Sequence, residues 1–373
     1  MGTTLDGLLK KFTARSAAEL ERKLDDGRVQ CLACGHRCRI AEGNPGVCRV
    51  RFVESGELYR PHGYVGALAC DPIEKKPFFH AFPGRDALTF GMLGCDLRCS
   101  YCQNWLTSQV LRDDDAVSPP RPTSPEELVA SAIQLGAPVI ASSYNEPLIT
   151  ADWAVEVFSI ARQRGLTCAF ISNGNGTEEV LKYLRPFVDL YKVDLKGFTD
   201  KAYRDLGGKL GNVLSTIQML KKLGFWLEIV TLTIPGFNDD PGELRAMADF
   251  LAGIDPYIPW HVTAFHPDYK MTDRDRTPVK TLLKAYDIGR SSGLHFVYPG
   301  NLPGQVGERE NTLCPQCCEL LIRRRGFLVL ENRLRGGQCP RCQLEIPGVW
   351  EKAPPPRTVG LGRPKSVALA SDF

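Results

Sequence analysis

Between Asp86 and about Asn301, short apolar runs alternate with amphipathic segments, and this pattern constrains the fold more than any other. The runs are ALTFGMLG from Ala87, PVIASSY from Pro138, TCAFISN from Thr167, LYKVDLK from Leu190, WLEIVTLTI from Trp226, WHVTAF from Trp260 and LHFVYPGN from Leu294. Such short, β-branched and aromatic-rich runs read as buried strands. Helix start signals stand between them. Ser124-Pro125-Glu126-Glu127 puts a capping Ser before a Pro at the first helical position, and Thr177-Glu178-Glu179 and Asp240-Pro241-Gly242-Glu243 look similar. Strand-then-helix units in series imply a parallel sheet. Residues of functional type fall at the C-terminal ends of the runs, around one mouth, so the expected fold is α/β, a partial or complete TIM-like β/α barrel.

The second constraint is 14 cysteines in 373 residues. A disulfide scaffold is usually short and secreted. The N-terminal MGTTLDGLLKKFTARS lacks the apolar core and cleavage site of a secretory signal, and Asp6 stands where a myristoylation motif wants Ser or Thr. The expectation is a cytoplasmic protein whose thiols serve as metal ligands. No apolar run reaches the roughly 18 residues that span a bilayer. Forty-six basic and 43 acidic residues give a net charge of +3, which argues against a chain built to coat nucleic acid.

The cysteines cluster. The central group is Gly94-Cys95-Asp96-Leu97-Arg98-Cys99-Ser100-Tyr101-Cys102-Gln103-Asn104, a C-x3-C-x2-C loop just after the first strand of the series. Three thiolates can each hold one iron of a [4Fe–4S] cube and leave the fourth iron open to a substrate or cofactor, whereas cluster-only electron carriers usually supply four cysteines. The alternative is a zinc loop short of one ligand.

These features resemble a radical S-adenosylmethionine (radical SAM) enzyme, more closely the branch like the pyruvate formate-lyase-activating enzymes, and within it the AmmeMemoRadiSam system radical SAM subfamily. The resemblance is carried by CLACGHRCRIAEGNPGVCRVR, DPIEKKPFFHAFPG, GCDLRCSYCQNW, SSYNEP, YKVDLKGF, FHPDYKM and CPQC…LENRLRGGQCPRC…IPGVW, from about Cys31 to Trp350. It implies a [4Fe–4S] cluster on the catalytic Cys95, Cys99 and Cys102, and S-adenosylmethionine (SAM) cleaved reductively to a 5′-deoxyadenosyl radical for hydrogen abstraction. It also implies an external electron donor, a protein substrate that would receive a glycyl radical, and Memo-like and AMMECR-like protein partners. An RNA- or small-molecule-modifying enzyme is the enzymatic alternative. A zinc-ribbon interaction protein on a non-catalytic barrel is the alternative of another class.

Candidate cofactor contacts follow from the same resemblance. Tyr101 precedes the last cysteine of the loop. Asn145 and Glu146 lie in Tyr144-Asn145-Glu146-Pro147, where the wider superfamily often has a Gly-Gly-Glu-Pro turn, so Tyr144 and Asn145 replace glycines. Ser172 and Asn173 end a strand where activating enzymes have Asp-Thr-Asn-Gly, with Ile171 in place of the Asp. Strand alternation sends Asp194 and Lys196 to one face and Leu195 to the other. His266, after the sixth strand, is a further SAM contact by resemblance, and Glu228 is a mouth or interior residue without a role.

Two cysteine modules flank the barrel. Cys314-x2-Cys317-x21-Cys339-x2-Cys342 has zinc-ribbon spacing, with Cys318 as an extra thiol, and takes zinc or an auxiliary Fe–S cluster. Its arginines, Arg323, Arg324, Arg325, Arg333, Arg335 and Arg341, read as a solvated face rather than a nucleic-acid surface. Cys31-x2-Cys34-x3-Cys38-x9-Cys48, with His36 as a substitute ligand, fits zinc or a [4Fe–4S] cluster by spacing, and the resemblance to activating enzymes with Cys-rich insertions tilts it to Fe–S. Cys70 and Cys168 read as an inert turn residue and a core hydrophobe. The expected organisation is an N-terminal helix and Cys-rich module over 1–85, the barrel over 86–301, the ribbon-like module over 302–351 and a flexible tail over 352–373.

Overall fold

The computed structural model describes residues 5–358 and 362–369. Its centre is one sheet of eight strands: β1 (Ala67–Pro72), β2 (Asp86–Gly91), β3 (Val139–Ser142), β4 (Thr167–Ser172), β5 (Leu190–Asp194), β6 (Trp226–Thr233), β7 (Trp260–Ala264) and β8 (Val297–Gly300). They hydrogen-bond in sequence order from β1 to β8. Strands β2 to β8 are parallel, and β1 runs antiparallel to β2 from Ala67 opposite Gly91 to Pro72 opposite Asp86. Among the described residues the ladder ends at β1 and β8, so the barrel is partial. Every residue of β2, β3 and β7 is buried, polar Thr89, His261 and Thr263 included.

Helices follow most strands: α1 (Pro125–Gln134), α2 (Ala151–Gln163), α3 (Glu178–Leu184), α4 (Leu210–Lys222), α5 (Pro241–Ile254) and α6 (Val279–Ser291). The three expected starts are caps. Ser124 accepts from the Glu127 amide while the Glu127 carboxylate accepts from the Ser124 amide, a capping box. Thr177 accepts from the Val180 amide, and Asp240 accepts from the amides of Gly242 and Glu243.

The flanks differ from expectation in three places. The sheet begins before Asp86, because β1 belongs to it. A strand of Ala, Leu, Cys, Asp and Pro at an antiparallel edge carries no strong apolar signature. The N-terminal module is anchored by a buried ion pair. Arg51 donates to Asp152 at the start of α2, to the Ile149 carbonyl (2.8 Å) and to Ser16 Oγ (3.0 Å), with only 1% of Arg51 exposed. The tail expected to be flexible packs back over its described part. The Lys365 amide donates to the Cys70 carbonyl (2.8 Å), the Lys365 ammonium meets Asp86 (2.6 Å), and Leu369 is buried in the main core.

The C-terminal module is an antiparallel sheet of Thr312–Leu313, Leu320–Arg325 and Leu328–Asn332. Its arginines are not one solvated face. Arg324 is buried, donates to Thr312 Oγ1 and the Phe79 carbonyl (both 2.7 Å), and lies over the Phe79 ring, because the segment after β1 packs onto it. Arg333 stays outside and pairs with Glu319 and Glu331. No helix among the described residues is long and apolar enough to cross a membrane.

Candidate active site

The chain leaves β2 into the cysteine loop through Gly94, whose φ of +90° and contact with Val50 exclude a side chain: a Cβ there would lie 2.8 Å from Val50 Cγ1. The loop carbonyls are tied down. Arg112 donates to the carbonyls of Leu97 (2.9 Å) and Cys95 (2.8 Å), and Gln109 donates to Leu97 (3.2 Å). Cys95, Cys99 and Cys102 all face one pocket of about 400 Å³, and no fourth cysteine among the described residues lines it. Burial pushes the Cys99 thiol up to about 12 and the Cys95 thiol well above its ordinary range. Thiols so desolvated become thiolates only beside compensating positive charge, which is what iron supplies. The donor set therefore fits a three-thiolate cluster with one open iron.

The strand ends converge on the same pocket. After β3, Glu146 is 2% exposed and accepts from Ser172 Oγ (2.7 Å), the Asn173 amide (2.7 Å) and the Leu148 amide (3.1 Å). Burial, then the charge of Asp96, outweigh these bonds and push its pKa up to about 8. Asn145 Oδ1 accepts from the Met92 amide (3.0 Å), fastening the turn to the end of β2. The replaced glycines leave a mark: Tyr144 keeps a left-handed backbone, φ +68°, unusual for a bulky residue. Asp96, inside the cysteine loop, accepts from Asn173 Nδ2 (2.7 Å) and Asn175 Nδ2 (2.8 Å), binding the loop to the end of β4. The sequence reading passed over Asp96 and Asn175 because their partners are 77 and 79 residues away.

At the end of β5, Asp194 lies between Lys192 and Lys196, the latter at 3.2 Å. Burial raises its pKa, but the two ammonium groups outweigh that and hold it down to about 2. Lys192 escaped the sequence reading, although the alternation that pairs Asp194 with Lys196 includes it. Tyr101 is buried, lines the pocket and packs edge-on against Phe237. His266 does not line this pocket. It is exposed, and its Nε2 lies 3.0 Å from the Gln103 side-chain amide, because the chain turns outward after β7. Glu228 is a structural group. It accepts from the amides of Phe79 and His80, from Trp226 Nε1 and from His261 Nε2 (2.7 Å), so it holds the segment after β1 across the barrel.

Among the described residues, Cys314, Cys317, Cys339 and Cys342 are the only group of three or more His, Cys, Asp or Glu whose donor atoms all lie within 4.8 Å of one another. The Sγ pairs 314–342 and 317–339 are 3.6 Å apart, close to the roughly 3.8 Å edge of a tetrahedron with zinc–sulfur bonds of about 2.3 Å. Cys31, Cys34, Cys38 and Cys48 do not converge to that degree. The Cys31 amide donates to the Cys38 carbonyl, and the Cys38 thiolate position faces the Val47 amide at 3.4 Å. His36 is not aimed at them: its Nε2 is 3.0 Å from the Asp96 carbonyl, which docks the module on the cysteine loop. Cys318 is exposed, while Cys70 and Cys168 are buried and belong to no converging group of three or more such ligands among the described residues.

The radical SAM superfamily profile matches residues 90–251, the span from the end of β2 to α5. An uncharacterized protein of Methanocaldococcus jannaschii is 40% identical over 304 residues, 81% of this chain and 89% of that protein. Residues 90–251 form a radical SAM domain. Weaker similarity extends to the pyruvate formate-lyase-activating enzyme of Clostridium pasteurianum, 23% identical over 212 residues, covering 51% of this chain and 84% of that one. Among solved structures, a radical SAM methyltransferase from Sphaerobacter thermophilus aligns with a TM-score of 0.46 at 17% identity, over 64% of this chain and 71% of that one. A radical SAM domain implies a [4Fe–4S] cluster and SAM.

Proposed function

We propose that this protein cleaves SAM reductively and uses the radical so produced to abstract hydrogen from a substrate bound in the same pocket. One observation carries the reading: three cysteines, without a fourth among the described residues, share a pocket with Glu146, Asn145, Ser172, Asn173, Asp194 and Lys196. Cys95, Cys99 and Cys102 would hold the cluster, which supplies an open iron for SAM and the electron that breaks its sulfonium bond. Around it, the chain's own residues bind and orient. The Glu146 carboxylate offers an acceptor for an ammonium group, and its three internal donors fix where that acceptor points. The Lys192–Asp194–Lys196 row presents both signs of charge to a zwitterion. Tyr101 and Phe237 wall the cluster side against water.

The activating-enzyme version, with a glycyl residue of a partner protein as substrate, is supported by the similarity over about half the chain. A small-molecule substrate is favoured by the pocket wall, where Lys75, Lys76 and Tyr144 stand together. The C-terminal four-cysteine group would carry zinc as a structural ion, and the N-terminal four would hold a second metal centre. The protein would draw electrons from a low-potential protein donor, with Memo-like and AMMECR-like proteins as its working partners. The deciding test is anaerobic reconstitution with iron and sulfide, followed by reductant and SAM. 5′-Deoxyadenosine should form in the wild-type protein and not in Cys99→Ala. Equal, background-level formation in both, with iron fully loaded in the wild type, would sink the reading.

A further inference from the structure

Just after β1 the pocket wall carries a group of side chains that neither the cluster nor SAM requires. Lys76 Nζ donates to Asp71 Oδ2 at 2.6 Å and to the Tyr144 hydroxyl at 3.1 Å. The Tyr144 hydroxyl donates to the same carboxylate at 3.3 Å, and Lys75 holds its other oxygen at 2.9 Å. Asp71 is fully buried and stands behind the wall, whereas Lys75, Lys76 and Tyr144 line the pocket. Four lysines line this pocket: Lys75, Lys76, Lys192 and Lys196. Of their ammonium groups, that of Lys76 alone is bonded to both a carboxylate and a hydroxyl.

Tyr144 is brought there at a cost. A left-handed backbone at a bulky residue costs on the order of 1–2 kcal/mol. Its neighbour Gly91 is confined to match: a Cβ there would lie 2.3 Å from the Ser143 carbonyl and 2.9 Å from Tyr144 Cβ. The strained turn sets the phenol against Lys76, within hydrogen-bond reach, and the Lys76 ammonium lies 4.8 Å from the ring centroid.

We infer that Lys76 is a nucleophile of this pocket and condenses with the carbonyl group of an aldehyde or keto substrate to form an imine. The deprotonated Nζ attacks the carbonyl carbon; Asp71 accepts one proton from nitrogen while the Tyr144 hydroxyl protonates the carbonyl oxygen, which gives the carbinolamine, and Asp71 passes its proton on to Tyr144. In the dehydration the same relay runs once more: Tyr144 protonates the hydroxyl, which leaves as water as the C=N bond forms, and Asp71 takes the second proton from nitrogen and returns it to Tyr144. Amine and carbonyl thus give imine and water, with no oxidant or reductant consumed. The surroundings suit each role. Burial lowers the Lys76 pKa to about 8 against the opposing pull of Asp71. The charged and titratable groups around it are Asp71, Lys75, Tyr144 and Cys70. Burial and the neighbouring Asp71 raise the Tyr144 pKa, so the phenol stays protonated and able to donate. The inference takes from the proposed function only the placement of substrate in this pocket.

The experiment is reductive trapping. The full-length protein, anaerobic and without SAM, is incubated with glyoxylate or pyruvate and cyanoborohydride, and the modified lysines are identified by peptide mass spectrometry. At pH 7.5 an amine of pKa 8 has a neutral fraction about two-hundredfold larger than an ordinary lysine, so trapping at Lys76 should exceed that at exposed lysines by about tenfold or more. The rate should rise through pH 8. Lys76→Arg keeps a cation on Asp71 and should lose the adduct while retaining the wild-type circular dichroism and iron content. Tyr144→Phe should slow trapping at Lys76 without abolishing it. Absence of a Lys76 adduct in the wild type, or labelling spread evenly over exposed lysines, overturns the inference. Assaying 5′-deoxyadenosine on the same preparation separates the two readings. Nucleoside formed without a Lys76 adduct refutes the imine alone, and an adduct without nucleoside refutes SAM cleavage alone.

Discussion

Replacing Glu146 by Gln tests the electrostatics of the site directly. The carboxyl is buried and faces Asp96, and its pKa stands at about 8 against an ordinary 4.5. Below pH 4.5 it is protonated in both folded and unfolded chains. As pH rises from 4.5 to 8 the unfolded chain loses the proton while the folded one keeps it, so stability falls through that window. At 1.36 kcal/mol per pKa unit, the buried acid costs roughly 4 kcal/mol at pH 7.5 and levels off above pH 8. Gln has the same shape and never ionises. Glu146→Gln should therefore match the wild type near pH 4.5 and exceed it increasingly toward pH 8.5, in urea unfolding under anaerobic, reducing conditions without SAM. SAM affinity should move the opposite way. Losing a buried charge-assisted bond worth about 1.5–3 kcal/mol weakens binding by roughly 10- to 100-fold in calorimetry. A stability difference that does not vary with pH would refute the reasoning, as would a variant that binds SAM like the wild type.

Other substitutions probe the rest of the molecule. Arg51→Met leaves Asp152 buried without its cation and should lower unfolding free energy by about 3–5 kcal/mol in denaturant titration, without changing the SAM-cleavage rate of the folded fraction. Cys339→Ser should take zinc by mass spectrometry from about one ion per chain to near none, with the iron count unchanged; equal losses of both metals would show that the two sites are not separate. His266→Ala, at an exposed position outside the pocket, should keep 5′-deoxyadenosine formation within about twofold, as surface substitutions usually do. A tenfold loss would return His266 to the cofactor site.

Legibility followed the range of the interactions. The seven parallel strands and the caps at Ser124, Thr177 and Asp240 were readable, because strand burial and capping are settled within a few residues. The edge strand Ala67–Pro72 was not, since its place depends on pairing with β2 rather than on apolar content. Tyr101, Asn145, Glu146, Ser172, Asn173, Asp194 and Lys196 were named from motifs and do meet in one pocket. His266 was named in the same way and lies outside it. Arg324 looked like one of several surface arginines until the segment around Phe79, 245 residues away, closed over it.

The sequence by itself determined the alternation that makes a β/α barrel, the three-cysteine loop after its first parallel strand and the paired spacing of the C-terminal cysteines. Those are local: a period, a turn and a ligand interval survive without knowledge of the rest of the chain. Only the tertiary structure decided that Asp96 faces Glu146, that Lys192 joins Asp194, that four C-terminal thiols converge and four N-terminal ones spread wider, and that Lys76 stands against Asp71 and Tyr144. Each depends on the distance between segments far apart in the chain, and Coulomb energy, desolvation and ligation all turn on that distance.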